Sequence, residues 1–313
     1  QVSAPATTAL QWFSMNSSLK PSTAGMLSLA PALWAGNAIV GRLAQDLISP
    51  FALNFFRWCI AFVLLLPLAW RVLRKDSPIW PLWRQYMLLG LLGIGCYNAL
   101  LYLALKTSTP LNVTLVGSSM PVWMLAIGRL CWRTPVSRKQ MSGALLSVLG
   151  VVMVMSRGDL QTLLNLRFVA GDLFMVLATI AWAFYTWLLS RSTGPQEVKS
   201  HWASFLLAQI LFGLLWSGLF TGAEAALGGF RFVVGWPLLG TLLFIAIGPA
   251  ILAYRFWGMG VQRSTPAIAG FFGNLIPLFT ALFSIPVLGE TPHLYHGIAF
   301  ALIVAGSVVS SRK

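Results

Sequence analysis

Two segments of this chain nearly copy each other inside apolar sequence. The segment STPLNVTLVGSSMP covers residues 108–121 and STPAIAGFFGNLIP covers residues 264–277, so the copies lie 156 residues apart. The same offset relates Gly117 with Gly273 inside these segments and Gly150 with Gly306 beyond them. A fixed period of about half the chain indicates that one membrane module has been duplicated, which is typical of transporters.

Composition places the chain in the membrane class independently of the repeat. Hydrophobic residues make up 58% of its 313 residues and charged residues only 9%. The mean hydropathy is +0.79, whereas a soluble domain carries about 25% charged residues. We therefore expect the whole chain to lie in or near a bilayer.

Apolar stretches long enough to cross a bilayer recur along the whole chain. About 20 mostly apolar residues are needed for one crossing helix. Because the connections are short, we expect the functional groups among the helices, around a central cavity. The prediction is an all-α integral membrane protein with ten transmembrane helices, at residues 24–43, 51–73, 84–105, 110–131, 137–156, 168–190, 199–220, 236–258, 265–288 and 292–310.

Basic residues are unevenly divided between the two predicted sides of the membrane. Arg57 and Arg255 fall inside helices, and most of the others in this chain of net charge +14 lie on the side of the termini. The opposite side carries only Arg42, Lys106, Arg157, Arg167 and Arg231. Cytoplasmic loops are enriched in Lys and Arg. We therefore predict a bacterial inner-membrane protein with both termini in the cytoplasm.

The helix count determines how the two copies are oriented. Residues 1–23 are polar and small and are predicted to form a cytoplasmic tail, not a secretory signal. Residues 24–157 and 168–311 each contain five helices, an odd number, so the second repeat must be inverted relative to the first. The loop charges agree with this inversion. The loop after the fourth helix is basic, with Arg129, Arg133, Arg138 and Lys139, whereas the equivalent loop after the ninth helix has no Lys or Arg.

Shorter motifs carry a resemblance to a known family. The first and sixth helices align, with APALWAGNAIVGR at 30–42 and ATIAWAFYTWLLS at 178–190, which pairs Trp34 with Trp182. Gly171-Asp172 precedes the second of these, and LGETP at 288–292 leads into Gly297 and Gly306. With these motifs, residues 24–311 resemble the drug/metabolite transporter superfamily, specifically proteins with two EamA-type domains.

The resemblance implies a ten-helix transporter, nearest to bacterial exporters of amino acids, including aromatic ones. Related branches move drugs, purine metabolites or nucleotide sugars, so the cargo stays open. The family's acidic residue at the end of the fourth helix is absent, since Arg133-Thr134-Pro135 stands where the second half has Glu290-Thr291-Pro292. We assign no acidic role to that position.

Several other function classes lack their chemistry in this sequence. No Gly-rich phosphate loop ending in Gly-Lys-Ser/Thr occurs, and no acid/base or nucleophile–base arrangement is recognisable. Cys59, Cys96 and Cys131 have no metal-ligand spacing, and the basic residues form no aromatic-interleaved face for nucleic acid. We expect no enzymatic activity, cofactor, metal or nucleic acid. The expected partners are a small-molecule substrate and membrane lipid, and a monomer is compatible with the sequence.

Charged and titratable residues limit the coupling mechanism. All acidic residues fall at predicted helix ends or in loops, whereas a proton-coupled antiporter of the small multidrug type needs a carboxylate near the midplane. His201, His293 and His296 lie near helix ends, where solvated interfacial roles are favoured. For Arg57 and Arg255, snorkelling to an interface is favoured over a functional role.

The repeated motif combines a helix start with a proline in the middle of the helix. Ser or Thr caps a helix start and Pro fits its first turn, whereas Pro121 and Pro277 fall near mid-membrane and kink their helices. A static bend and a hinge for alternating access are both open. We propose hinges at Pro121 and Pro277.

Substrate contacts are predicted among the polar and aromatic residues at mid-helix. An amino acid requires hydrogen bonds at its charged ends and apolar or aromatic walls around its side chain. Helix packing is the alternative role for each residue. The candidates are Trp34, Asn37, Tyr97, Asn98, Tyr102, Ser118, Ser119, Trp182, Tyr185, Tyr254 and Asn274.

The favoured function is export of amino acids, including large or aromatic ones, by alternating access with facilitated or weakly coupled transport. Export of another solute, such as a drug or a purine or nucleoside-type metabolite, is the alternative. A membrane enzyme or scaffold without transport is a remote third.

Overall fold

A computed structural model describes residues 21–156, 158–159, 169–191, 198, 201–263, 272–289 and 291–311. Regular structure in these residues is helical throughout, with one isolated backbone bridge between Ile48 and Phe232. The all-α prediction is therefore confirmed for this part of the chain. Most of the predicted tail, the second Ser-Thr-Pro motif at 264–266 and Glu290 lie outside the described residues.

The first half contains helices in the predicted order. A 3₁₀ turn, Trp70–Leu73, extends the second helix, and a π-helical turn, Gly90–Cys96, joins the third and fourth into one rod. The helices are α1 (Pro21–Leu43), α2 (Pro50–Ala69), α3 (Trp83–Leu89), α4 (Tyr97–Ala104), α5 (Pro110–Gly117), α6 (Met120–Trp132) and α7 (Arg138–Met155).

The second half follows the same plan. A second π-helical turn, Ala246–Leu252, joins α10 and α11. The helices are α8 (Ala170–Arg191), α9 (Trp202–Ala226), α10 (Trp236–Ile245), α11 (Ala253–Arg263), α12 (Leu275–Leu288) and α13 (Leu294–Ser311).

Seven helical rods in the described residues are long and apolar enough to cross a membrane. Four lie in the first half and three in the second, and α12 and the start of α13 are shorter apolar helices. A helix falls within each of the ten ranges predicted from the sequence, and where both ends are described they are shifted by a few residues; the predicted start of the ninth helix, at 265, lies outside the described residues. Length and hydropathy alone therefore support a multi-pass chain.

The 156-residue offset reappears in the backbone as well as in the motif. Gly90–Cys96 and Ala246–Leu252 are the two π-helical turns, and they stand at this offset. The last residues of α6 and α12 are followed by Arg133 (φ 52°) and Gly289 (φ 65°), left-handed caps that also lie 156 apart. The cap thus pairs Arg133 with Gly289, a correction of one residue to the alignment that pairs Arg133 with Glu290.

The repeated prolines follow interruptions of their helices. Between α5 and α6, Ser118 (φ −70°, ψ −4°) and Ser119 leave the α-helical path, and Asn274 (φ −69°, ψ −6°) does the same before α12. Pro121 and Pro277 lie in the first turns after these points, where a missing N–H is tolerated. Both repeats therefore bend at equivalent positions, close to where the sequence predicts kinks.

Helices α7 and α13 form the largest contact between equivalent elements. A Cβ on Gly150 would lie 2.8 Å from the carbonyl oxygen of Ala299, and one on Gly306 would overlap the carbonyl oxygen of Gly143. Adding or subtracting the 156-residue offset converts one contact into the other. Because higher numbers in one helix meet lower numbers in the other, the two helices are antiparallel.

Helices α1 and α8 each pack mainly against helices of the opposite half. Helix α1 contacts α11 and α12, whereas α8 contacts α4, α5 and α6. Helices α2 and α9 pack on each other, and α9 also packs on the Gly90–Cys96 turn. This arrangement surrounds a central space with both halves of the chain.

The α7–α13 contact yields a stability prediction. Gly306→Ala places a methyl group against backbone that cannot move aside, so we expect a loss of about 1–3 kcal/mol. The control is Gly297→Ala in the same helix, where nothing lies within 4 Å of the added Cβ. Melting temperatures of the two variants in detergent micelles measure the difference. Equal melting temperatures would show that the close contact is wrong.

Candidate substrate cavity

A cavity of about 350 Å³ lies between the two halves. Its walls come from α1, the rods around both π-helical turns, both interrupted helices, α8 and α9. The polar lining groups are Asn37, Asn98, Thr114, Ser118, Thr186, Gln209, Arg255 and Asn274, and the aromatic ones are Trp34, Tyr97, Trp182, Tyr185, Trp202, Phe205, Tyr254 and Trp257.

Three aromatic rings meet edge to face on one wall of the cavity. The ring centres of Trp34 and Trp182 lie 6.0 Å apart at an interplanar angle of 79°. Tyr254 lies 6.2 Å from Trp34 and 5.8 Å from Trp182, at 89° and 87°. These are preferred aromatic geometries. The two tryptophans that the sequence aligns are therefore in direct contact.

The π-helical turns hold this cluster in place. The Trp34 indole N–H donates to the carbonyl oxygen of Pro249 at 3.2 Å, and the Tyr254 hydroxyl donates to that of Gly93 at 3.1 Å. Gly93 and Pro249 lie in the two π-helical turns, 156 residues apart. A π-helical turn disturbs the regular helical hydrogen-bond ladder, so these carbonyl oxygens can accept from cavity side chains.

Arg57 sits behind the cavity wall in a hydrogen-bonded cluster. It is completely buried, and its Nη1 donates to Asn98 Oδ1 at 2.9 Å, to the Tyr102 hydroxyl at 2.7 Å and to Asn37 Oδ1 at 3.3 Å. Its guanidinium also lies 5.0 Å from the ring centre of Trp58. The expectation that Arg57 snorkels to an interface is wrong, because these partners hold it inside the protein.

Arg255 is a cationic group in the cavity wall. Its guanidinium carbon lies 4.7 Å from the ring centre of Trp202. The lining residues from the described part of the chain include no Asp or Glu. The cavity wall is thus apolar and aromatic, with hydrogen-bond donors and positive charge but no carboxylate from these residues.

Most of the predicted contact residues reach the cavity wall, and two do not. Tyr102 lies behind it on Arg57, and the Ser119 hydroxyl accepts from the Trp123 indole N–H at 3.1 Å. Contact with substrate stays a prediction for the residues in the wall: Trp34, Asn37, Tyr97, Asn98, Ser118, Trp182, Tyr185, Tyr254 and Asn274.

Some wall residues were not singled out by the sequence pattern. Gln209 accepts from the Tyr185 hydroxyl at 2.8 Å, and an amide within a predicted membrane helix was the available signal. Thr186, Trp202 and Trp257 carried no distinctive signal. Arg255 was recognised as a charge within a helix, but proximity to a helix end favoured the interface.

A second, wider cavity of about 870 Å³ lies where α5 and α13 begin. There His296 is buried, and its Nε2 lies 3.1 Å from Asn112 Oδ1. The solvated interfacial role expected for His296 is therefore wrong. His201 caps α9 and accepts from the Ser204 N–H, and its side chain is exposed.

Two independent matches to one family model cover almost the whole chain. The model of the EamA-like transporter family matches residues 21–156 and again residues 169–312. The chain belongs to the EamA-like transporter family. It is a multi-pass membrane transporter with two EamA domains, and the family resemblance drawn from the sequence motifs is confirmed.

Named relatives of this EamA protein extend over most of its length. An uncharacterized transporter of Archaeoglobus fulgidus is 26% identical over 92% of the chain and 96% of its own length. The aromatic amino acid exporter YddG of Ancylobacter novellus is 24% identical over 74% of the chain and 76% of its own length. A probable amino-acid metabolite efflux pump of Salmonella typhimurium is 26% identical over 90% and 92%.

A solved crystal structure shows the same fold. It superposes with a TM-score of 0.61 at 20% sequence identity and covers 93% of this EamA chain and 97% of its own. At that identity the likeness concerns the arrangement of helices alone.

Two threonines of α8 test whether the cavity is reached by water. Thr186 lines the cavity, whereas Thr179 is completely buried, and each hydroxyl bonds to the carbonyl four residues earlier. In a background lacking Cys59, Cys96 and Cys131, we expect Thr186→Cys to react with a charged methanethiosulfonate at least about tenfold faster than Thr179→Cys, because thiol reactivity requires access. Similar rates for both would contradict a wet cavity.

Proposed function

We propose that this EamA protein exports amino acids, including those with aromatic or other large neutral side chains. The observation that carries the proposal is the cavity wall, in which an aromatic cluster faces amide groups and Arg255. Aromatic rings offer a large apolar surface to a side chain. Amide and guanidinium donors satisfy a carboxylate.

The dimensions of the cavity support a small solute. A volume of about 350 Å³ lies near the lower end of the roughly 300–1,000 Å³ typical of ligand pockets. Two relatives also support the proposal through their names, one as an aromatic amino acid exporter and one as a probable amino-acid metabolite efflux pump.

The proposed architecture is ten transmembrane helices in two inverted five-helix repeats. The antiparallel contact of α7 with α13 supports it, since equivalent helices in parallel repeats would run in the same direction. The paired π-helical turns support the duplication. Loop charge supports an inner-membrane location with both termini in the cytoplasm.

The positions of two carboxylates support facilitated or weakly coupled transport. Asp172 accepts from the Ser108 hydroxyl at 2.7 Å, at the ends of α8 and the first Ser-Thr-Pro motif. Glu224 accepts from the Ser49 hydroxyl at 2.6 Å and from the Ala52 N–H at 3.2 Å, which caps α2. Both carboxylates thus stabilise helix ends, away from the cavity wall.

Transport by purified protein in liposomes tests the proposal directly. We expect labelled phenylalanine, tryptophan or leucine to enter liposomes that contain the protein faster than it enters empty ones. A proton gradient should change the rate by less than about threefold, because no described wall residue is a carboxylate. Transport of nucleosides or cationic drugs without any amino acid would overturn the cargo, and no transport across a broad metabolite panel would overturn the function.

The proposed hinges are tested with proline variants. Pro121→Ala and Pro277→Ala restore a backbone donor after each helix interruption, so we expect transport to slow by at least about threefold, or about 0.7 kcal/mol on the barrier. Expression and folding should be retained. The control is Pro286→Ala, which changes an exposed proline of α12. If the transport rate is unchanged in both variants, the two prolines mark static bends and not hinges.

A further inference from the structure

Arg57 is a buried cation whose surroundings are neutral. No carboxylate from the described residues lies within ion-pair distance of it, and its hydrogen bonds go to the side chains of Asn37, Asn98 and Tyr102. An uncompensated charge inside a membrane protein is costly and marks a functional site by default. Helix packing alone does not require such a charge.

The guanidinium determines which way the two amides face. Arginine has donors and no acceptor, so Asn37 and Asn98 must turn their Oδ1 atoms toward it. The Tyr102 hydroxyl, which accepts from Arg57, donates in turn to Asn37 Oδ1 at 2.7 Å. Both amides therefore direct their NH₂ groups away from Arg57.

Both of these amides line the cavity. Asn98 is 96% buried, and its side chain interacts with the Tyr254 hydroxyl, but its Nδ2 makes no hydrogen bond of standard geometry among the described residues. A buried donor that is poorly paired costs free energy. A ligand oxygen reached by a small rotation of the amide would reduce this cost, and the positive charge behind Asn98 favours an anionic oxygen.

The second half holds neutral groups at the equivalent positions. The offset of 148 pairs Asn37 with Tyr185, and the offset of 156 pairs Asn98 with Tyr254. The N-caps of α2 and α9, Ser49 and His201, stand 152 apart, and this offset pairs Arg57 with Gln209. The Tyr185 hydroxyl donates to Gln209, so the same contact recurs without a charge.

We propose that Arg57, Asn37 and Asn98 form an anion-reading unit that selects substrates with a carboxylate. The carboxylate accepts from the amide groups of Asn37 and Asn98, and Arg57 orients these groups and supplies positive potential without touching the substrate. Tyr185, Tyr254 and the tryptophans then receive the side chain. This deepens the proposed function and rests on it.

The same unit acts against cations of equal size. An amine without a carboxylate would place positive charge beside donor groups and Arg57, where nothing among the described wall residues can neutralise it. Specificity of this kind arises from repulsion as much as from attraction. Arg57 is thus a positioning and specificity residue, and Asn98 is the contact residue.

Competition by two ligands of nearly equal shape tests the unit. Phenylalanine and phenylalaninamide differ in the carboxylate, and each is titrated against transport of labelled phenylalanine. We expect the wild-type protein to prefer phenylalanine at least about tenfold, or about 1.4 kcal/mol. Equal inhibition by both, with phenylalanine transported, would overturn the unit while leaving the proposed function intact.

Variants then locate the preference. Asn98→Asp keeps an acceptor for Arg57 but puts a carboxylate where the substrate's should bind, so the preference should fall about tenfold or more. Gln209→Glu adds the same charge at another position of the cavity wall, the one that pairs with Arg57, and keeps the acceptor for Tyr185, so it should change the preference less than about threefold. An equal fall in both variants would show that overall cavity charge, and not this unit, selects the substrate.

A binding measurement separates the unit from transport. The melting temperature of the wild-type protein in detergent is followed with 3-phenylpropionate and with 3-phenylpropanamide. Stabilisation by the acid and not by the amide, lost in Arg57→Gln or Asn98→Asp, supports the unit whether or not amino acids are the cargo. Equal or absent stabilisation by the acid and the amide contradicts it.

Discussion

Every backbone polar group buried in apolar surroundings needs a partner, and this constraint organises the cavity. Regular helices satisfy the requirement internally, and the regular structure of the described residues is helical. Its irregular points are the π-helical turns and the interruptions before Pro121 and Pro277. The carbonyl oxygens of Gly93 and Pro249 accept from Tyr254 and Trp34, so the irregular backbone is also what positions the cavity's aromatic rings.

Much of the fold could be predicted because each helix that crosses a bilayer needs about 20 mostly apolar residues, which are visible in the sequence. Helix positions came within a few residues, and the aligned Trp34 and Trp182 are in contact. The π-helical turn Gly90–Cys96 was not predicted, since a one-residue change in hydrogen bonding leaves the apolar pattern unaltered. The left-handed cap at Arg133 was missed for a similar reason, because no glycine marks it.

The candidate site was predicted less completely, since burial depends on what lies behind a residue as well as on its sequence position. Arg57 is near the start of α2, where a long side chain normally reaches water. Asn37, Asn98 and Tyr102 come from two other rods and surround it. Tyr102 belongs to the same cluster but contacts Arg57 and not the cavity. Its polar hydroxyl within a helix therefore indicated a buried polar site correctly, whereas the predicted contact with the cavity was wrong.

Duplication gives the two halves a similar backbone, and differences between their side chains make the cavity asymmetric. Trp34 and Trp182 keep the same residue in both halves, and they touch. At the neighbouring pairs the first half has Asn37, Asn98 and Arg57, whereas the second has tyrosines and Gln209. In the proposed unit a carboxylate binds beside Asn98 of the first half, and Arg255 of the second half adds a further positive charge to the wall. The polarity of the cavity is then set by side chains at equivalent positions, while the bends before Pro121 and Pro277 are common to both repeats.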